Sequence, residues 1–353
     1  MRRDLVDLLR WPHLPSPPWP QLAAAIFGLA GPIALGAALG NTGAGMAAAI
    51  GGLALSEGGQ GDTLREQARS QGYSVIAGSL AVLLGATLAR HQANFLLPGI
   101  AAAAALCGGI SRPLAQATTR FILFTIIASG IVQPAPPPLP MALLFAAGAA
   151  WTASLSLLFW VLKRGKAAPV PARTPSLRAH LHHWRRSLRG WAGWQYTARI
   201  TAALLGADLL GMVWSERRTH WALLTVAIVV LRQAPDALTR ALERGLGTAL
   251  GVGLAGPLLV WQPPTPLVVA LVAVLAAARP ILRPGNYTAY AAIMTPLIMR
   301  LMDLGRPPTW ETLVDRLLAT TAGCGMAVTL GYLVWRRLIT RAAKQAPSLA
   351  MTE

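Results

Sequence analysis

Arg120, Arg199 and Arg316 each stand inside long apolar runs of this chain, and Asp208 is the only acid well within one. An ionisable group in hydrocarbon costs at least about 2.5–3.5 kcal/mol, so it is expected to face a cavity or a partner. Guanidinium suits carboxylates because its planar fork binds both oxygens at once. That makes Arg120 and Arg316 candidate anion contacts. Asp208 suits a proton carrier, with a structural ion pair as the plainer role. Nine residues at about 100° each put Arg199 and Asp208 on opposite faces of one helix, so they do not pair with each other. Arg199 lies one turn into its run and also has the option of snorkelling to the surface.

Gln116, Asn286, Tyr287 and Tyr290 give two further runs polar faces. Each alone fits an interhelical hydrogen bond as well as a ligand contact. Arg69 and Arg244 stand three residues before Gly72 and Gly247, where a polar loop is read as meeting a small-residue helix. A helix N-terminus already carries partial positive charge, so an arginine there does not stabilise the helix. The pair is expected to form an inner vestibule that attracts anions, against the plainer role of touching lipid phosphate.

Nothing points to an enzyme. There is no Gly-x-x-x-x-Gly-Lys-Ser/Thr loop, no Gly-x-Ser-x-Gly, no His-x-x-x-His and no Cys-x-x-Cys. Cys107 and Cys324 lie in apolar runs without ligand spacing. His180, His182 and His183 sit in a basic linker and are read as solvated rather than as a metal tract. No cofactor and no metal are expected.

The elements that position these residues follow from composition. The chain is 54% hydrophobic and 12% charged, about half the charged fraction of a soluble protein. Its apolar runs are too many to bury in one soluble core. Twelve candidate spans follow: 21–39, 42–55, 72–89, 95–109, 115–132 and 141–162, then 194–213, 219–231, 239–260, 266–278, 287–301 and 313–335. A net charge of +18 would suggest nucleic acid in a soluble chain. Here the basic residues cluster between apolar runs, as cytoplasmic loops require, and nucleic acid is set aside. Of 31 Lys and Arg, 23 fall on the side of the N-terminus, five on the other and three within spans. This predicts both termini and the basic linker in the cytoplasm, with basic residues near anionic lipid headgroups.

The two halves echo each other. A shift of 175 residues lays Arg65 on Arg240, Arg69 on Arg244, Gly72 on Gly247 and Gly78 on Gly253. A shift of 170 lays Gln116 on Asn286 and Thr125 on Thr295. Six spans per copy, both starting inside, predict a parallel repeat about an axis along the membrane normal. The expected fold is an all-α polytopic membrane protein of about twelve transmembrane helices in two six-helix repeats. Its parts are an N-terminal segment 1–20, repeats 21–162 and 194–335, a basic linker 163–193 and a tail 336–353. The second span of each repeat is short, and paired short spans point to a transporter's midplane site. Ala77, Ala81 and Gly85, like Gly247, Gly251 and Ala255, recur every four residues and predict close helix packing.

One stretch carries a signature. His220-Trp221 opens an apolar run, a loop with Pro235, Arg240 and Arg244 follows, and a helix opens on Gly247-Thr248 with Gly251. This resembles the hairpin of the fusaric-acid-resistance family of bacterial inner-membrane exporters. Asp315-Arg316-Leu317-Leu318 through Gly323 is similar to that family's last helix. The resemblance implies export of small organic anions, aromatic carboxylates in particular, with His220, Trp221 and Arg316 in or near the pathway. Proton coupling is the expectation for a chain without an ATPase motif. Some family members work beside a periplasmic adaptor, and a homo-oligomer is admitted. The family is also similar to plant malate-permeable anion channels, so an anion channel is the first rival reading. A non-transporting envelope scaffold is the second. Many members carry large cytoplasmic domains; this chain is read as having there only the basic stretch Lys163 to Gly190, 28 residues, and a short tail.

Overall fold

The computed structural model describes residues 19–55, 63–130, 137–163, 177–214, 220–232, 237–261, 263–302, 309–336 and 338. Among them are thirteen α-helices, two single 3-10 turns and no strand. In the first half these are α1 (Trp19–Ala38), α2 (Thr42–Leu55), α3 (Leu64–Arg90), α4 (Leu97–Cys107), α5 (Arg112–Ser129) and α6 (Pro138–Lys163). A helix α7 (Leu177–Ser187) lies between the halves. The second half holds α8 (Trp191–Val213), α9 (His220–Val229), α10 (Ala237–Val260), α11 (Thr265–Gly285), α12 (Tyr287–Met302) and α13 (Trp310–Thr329). The protein is an all-α, multi-pass membrane protein. Five described helices, α1, α3, α6, α11 and the last with its 3-10 extension to Trp335, are long and apolar enough to cross a bilayer by themselves. Large apolar side chains such as Phe27, Ile76, Leu143, Leu209, Leu254 and Val274 are exposed on the outside of the bundle, where lipid would cover them.

A helix lies under each of the twelve apolar stretches, but several boundaries move. α3 begins eight residues before Gly72, because Thr63 caps it by accepting from the Glu66 amide at 3.1 Å. α10 begins at Ala237, not near Gly247. Arg69 and Arg244 therefore stand in the second turn of their helices rather than at the N-terminus, and the helix-dipole objection to them falls away. α11 runs on through Pro280 and Pro284 to Gly285. Each proline deletes one backbone donor, yet packing of α11 on both α1 and α12 holds the helix together. This puts Arg279 and Arg283 on a helix instead of in a loop. The linker, expected to lack apolar periodicity, holds α7. Its Leu177, Leu181 and Trp184 follow helical spacing, and Trp184 Nε1 donates to the Leu106 carbonyl at 3.1 Å, tying it to α4.

The packing scheme has two matching parts. α2 packs on α1, α3 and α6; α3 on α5 and α6; α1 on α6; and α4 on α5. In the second half α9 packs on α8, α10 and α13; α10 on α12 and α13; α8 on α13; and α11 on α12. Between the halves α1 meets α11 as α8 meets α4, and α12 meets α2 as α5 meets α9. Small residues set these approaches. A methyl group added at Gly85 would land on the Thr125 carbonyl of α5, and one at Gly251 on the Ala292 carbonyl of α12. The backbones meet there because no side chain separates them.

α2 and α9 are the innermost helices. Every residue from Gly45 to Leu55 is buried, as are Trp221 to Ala227 and Val229. A helix apolar on all sides belongs in the interior. With 14 and 10 residues at 1.5 Å each, they rise about 21 and about 15 Å, short of a hydrocarbon core of about 30 Å. Space is left beyond their ends.

Candidate functional site

That space is occupied by a cavity of about 690 Å³ at the C-terminal ends of α2 and α9. Leu53 and Ala54 of α2 and Leu224 to Arg232 along α9 and just past it form its roof. The N-terminal turns of α8 and α10, one face of α5 and of α12, the C-terminal turns of α11 and Gln21 of α1 supply its walls. Under the topology expected from the sequence all these ends lie on one side of the bundle.

Six arginines line the cavity, Arg120, Arg232, Arg240, Arg244, Arg279 and Arg283, and no Asp or Glu is among the lining residues. Five stand on helices and Arg232 just past the end of α9. Arg120 Nη1 donates to Ser74 Oγ at 2.7 Å, fixing α5 to α3. Arg232 Nη2 donates to the Ala105 carbonyl at 3.0 Å, and its guanidinium lies 4.3 Å from the centre of the Tyr196 ring. Arg240 sits 3.2 Å from the centre of the Tyr287 ring, with Glu243 of its own helix at 3.7 Å. Arg279, 4% exposed, reaches the Leu53 carbonyl at the end of α2 at 3.5 Å. That carbonyl is one the helix cannot satisfy itself. Arg244 is 2% exposed, and its Nε and Nη2 have no hydrogen-bond partner. Aromatic rings alternate with these cations: Phe124, Tyr196, Tyr287 and Tyr290. Such a lining binds an anion through the guanidinium groups and an aromatic body through the rings.

The structure brings Gln116, Arg120, Arg244 and Tyr290 together here. It does not bring Arg69, the repeat mate of Arg244. Arg69 is exposed, and its Nε donates to Tyr73 Oη at 2.9 Å. The expected vestibule pair is therefore split: one arginine lines the cavity, the other does not. Arg199 is 1% exposed and does not snorkel; its Nε donates to the Gly331 carbonyl at 2.6 Å beyond α13. Asn286 is the cap of α12, its Oδ1 accepting from the Ala289 amide at 2.9 Å. Asp208 is half-buried on α8, away from the lining. His220 and Trp221 lie against each other, ring centres 4.7 Å apart, and Arg316 covers the Trp221 ring at 3.8 Å. These three form a separate cluster outside the lining. Sequence reading missed Arg232, Arg240, Arg279 and Arg283 as site residues. Arg240 was noted in the hairpin signature and the repeat but not as a site residue, and the other three only as loop charge.

Comparison with known proteins bears on the second half. Residues 200–330 match the family model described as fusaric acid resistance protein-like. An uncharacterized membrane protein of Bacillus subtilis (strain 168), YvaC, is 26% identical over 162 residues, which are 44% of this chain and 26% of that protein. The match thus spans about a quarter of that relative's length. No solved structure matches. Over residues 200–330, from the middle of α8 to the end of α13, the chain is similar to the fusaric acid resistance protein-like family.

Proposed function

We propose that this protein is an inner-membrane exporter of small organic anions, aromatic carboxylates foremost, and that the arginine-lined cavity is where they bind from the cytoplasm. The observation that carries this is the lining itself: six arginines, four aromatic rings and no acid in about 690 Å³. Ligand pockets run to about 300–1,000 Å³, so a benzoate-sized acid fits. A cluster of positive charge in a concave, partly apolar space focuses the field and raises the local anion concentration. Gln116, Arg120, Arg244 and Tyr290 are the residues assigned to recognition, joined by Arg232, Arg240, Arg279, Arg283, Tyr196 and Tyr287. Binding by the purified protein in detergent tests this. Benzoate is expected to bind and its neutral isostere benzamide to bind at least tenfold more weakly, with benzoate affinity falling as salt rises. Equal affinity for the two would remove the arginines from recognition.

The twelve-span, two-repeat architecture is part of the same proposal. What supports it is that every packing of one helix on another within the first half recurs in the second, and that the contacts between halves exchange under the same correspondence. Both termini and α7 are assigned to the cytoplasm, from the distribution of Lys and Arg. A cysteine at the exposed position Arg186 of α7, with Cys107 and Cys324 replaced by serine, checks this. A membrane-impermeant maleimide is expected to label it only after the membrane is opened. Labelling from the outside of intact spheroplasts would invert the topology.

A further inference from the structure

Above the cavity, where α9, α10 and α13 meet, buried hydrogen-bond donors lack acceptors. Arg316 is 0% exposed, and its Nε, Nη1 and Nη2 all have no hydrogen-bond partner. Its guanidinium lies 3.8 Å from the centre of the Trp221 ring, whose Nε1 is also buried and unpartnered. Thr320, one turn along α13 on the same face, is 0% exposed with its hydroxyl unpartnered. So is Thr248, one turn along α10 from Arg244. The charge that acts on Arg316 is a second cation, Arg244.

Water alone explains this poorly. Water satisfies donors, but it leaves two buried positive charges uncompensated, and unpaired buried charge is strongly destabilising. An anion would do both.

We propose that Arg316, with Arg244, Trp221 Nε1, Thr320 and Thr248, forms a second and deeper anion site that holds one compact anionic group. Arg316 presents its fork edgewise while Trp221 covers one face. Full burial of these donors suits a halide or a single carboxylate group rather than a bulky anion. Arg244 belongs to both places, since it also lines the cavity. The inference goes beyond the cavity assignment and does not require a particular exported substrate.

The test uses the full-length protein in detergent, with chloride exchanged for gluconate at constant ionic strength. The wild-type thermal midpoint is expected to rise by a few degrees, saturably, with chloride, because a ligand bound only to the folded state stabilises it. Arg316→Leu is expected to be as stable as wild type or more so in gluconate, and flat in chloride. Arg120→Gln, which alters the cavity, is expected to keep the chloride response, so failure here and failure of the cavity assignment are separable. A second measurement needs no variant: wild-type protein is expected to broaden the ³⁵Cl resonance. Benzoate reversing the broadening identifies the substrate's own carboxylate as the occupant, and persistence in benzoate identifies the halide. Midpoint and ³⁵Cl linewidth both indifferent to chloride and benzoate would overturn the proposal, as would a chloride response unchanged in Arg316→Leu.

Discussion

Replacing Arg244 by Gln is expected to lower anion transport about ten- to a hundredfold while leaving the protein at least as stable as wild type. The two effects have one cause. Arg244 is 2% exposed and two of its nitrogens have no hydrogen-bond partner. In the empty protein it is an expensive side chain, so its removal costs little stability and can raise it. With an anion bound, the same nitrogens make charge-assisted hydrogen bonds worth about 1.5–3 kcal/mol, which is the expected loss in transport. Lysine keeps the charge but not the planar fork, and is expected to fall between arginine and glutamine. Transport by purified variants in vesicles at matched amounts, beside their thermal midpoints, reads both effects. Equal transport by all three would remove Arg244 from the site. A large fall in the midpoint of the Gln variant would make it a structural residue.

The second large effect is expected at Gly251. Its α-carbon faces the backbone of α12, where an added methyl group would meet the Ala292 carbonyl and Thr295. A carbonyl held in a helix does not rotate aside, so Gly251→Leu must push α10 off α12. Overpacking costs about 1–3 kcal/mol and more where backbone is hit. The displacement also separates Arg240 and Arg244 on α10 from Tyr287 and Tyr290 on α12, which together line the cavity. The variant is expected to lose most of its folded, monodisperse protein after extraction. Gly253, two residues on, has nothing within 4 Å of an added methyl group, and Gly253→Leu is the matched control. It is expected to behave as wild type, because its side chain would enter lipid. Equal yields and midpoints for the two variants would mean that α10 and α12 do not meet as described.

These residues also show what the sequence made legible. Apolar length is a local property, so every hydropathic stretch coincides with a helix, and the short second span of each half, α2 and α9, lies at the buried centre. The small-residue faces of α3 and α10 were readable for the same reason. Depth is not local. Arg279 and Arg283 follow an apolar run and flank Pro280, so they read as loop charges, yet packing carries α11 past both prolines into the cavity wall. Arg232 likewise reads as a topology signal, because a charge near an interface looks the same whether it faces lipid phosphate or a cavity. Arg69 and Arg244 match in spacing but not in surroundings: one lies exposed along Tyr73, the other buried against α13's neighbours. Asn286 reads as a polar face of a span and is a cap, because capping depends on where the helix starts. Arg316 was legible as an intramembrane charge; that it would be roofed by Trp221 without any acid against it required the fold.

The most direct measurement of the central assignment is uptake of radiolabelled benzoate by vesicles containing the purified protein, in counterflow and under an imposed proton gradient. Wild-type vesicles are expected to accumulate label transiently above the outside concentration, and Arg120→Gln/Arg279→Gln vesicles to lose that accumulation with the protein still folded. Purely downhill flux that follows voltage, with no counterflow, would contradict the exporter in favour of a channel. Uptake by the double variant equal to wild type would contradict the arginine-lined cavity as the place where the anion binds.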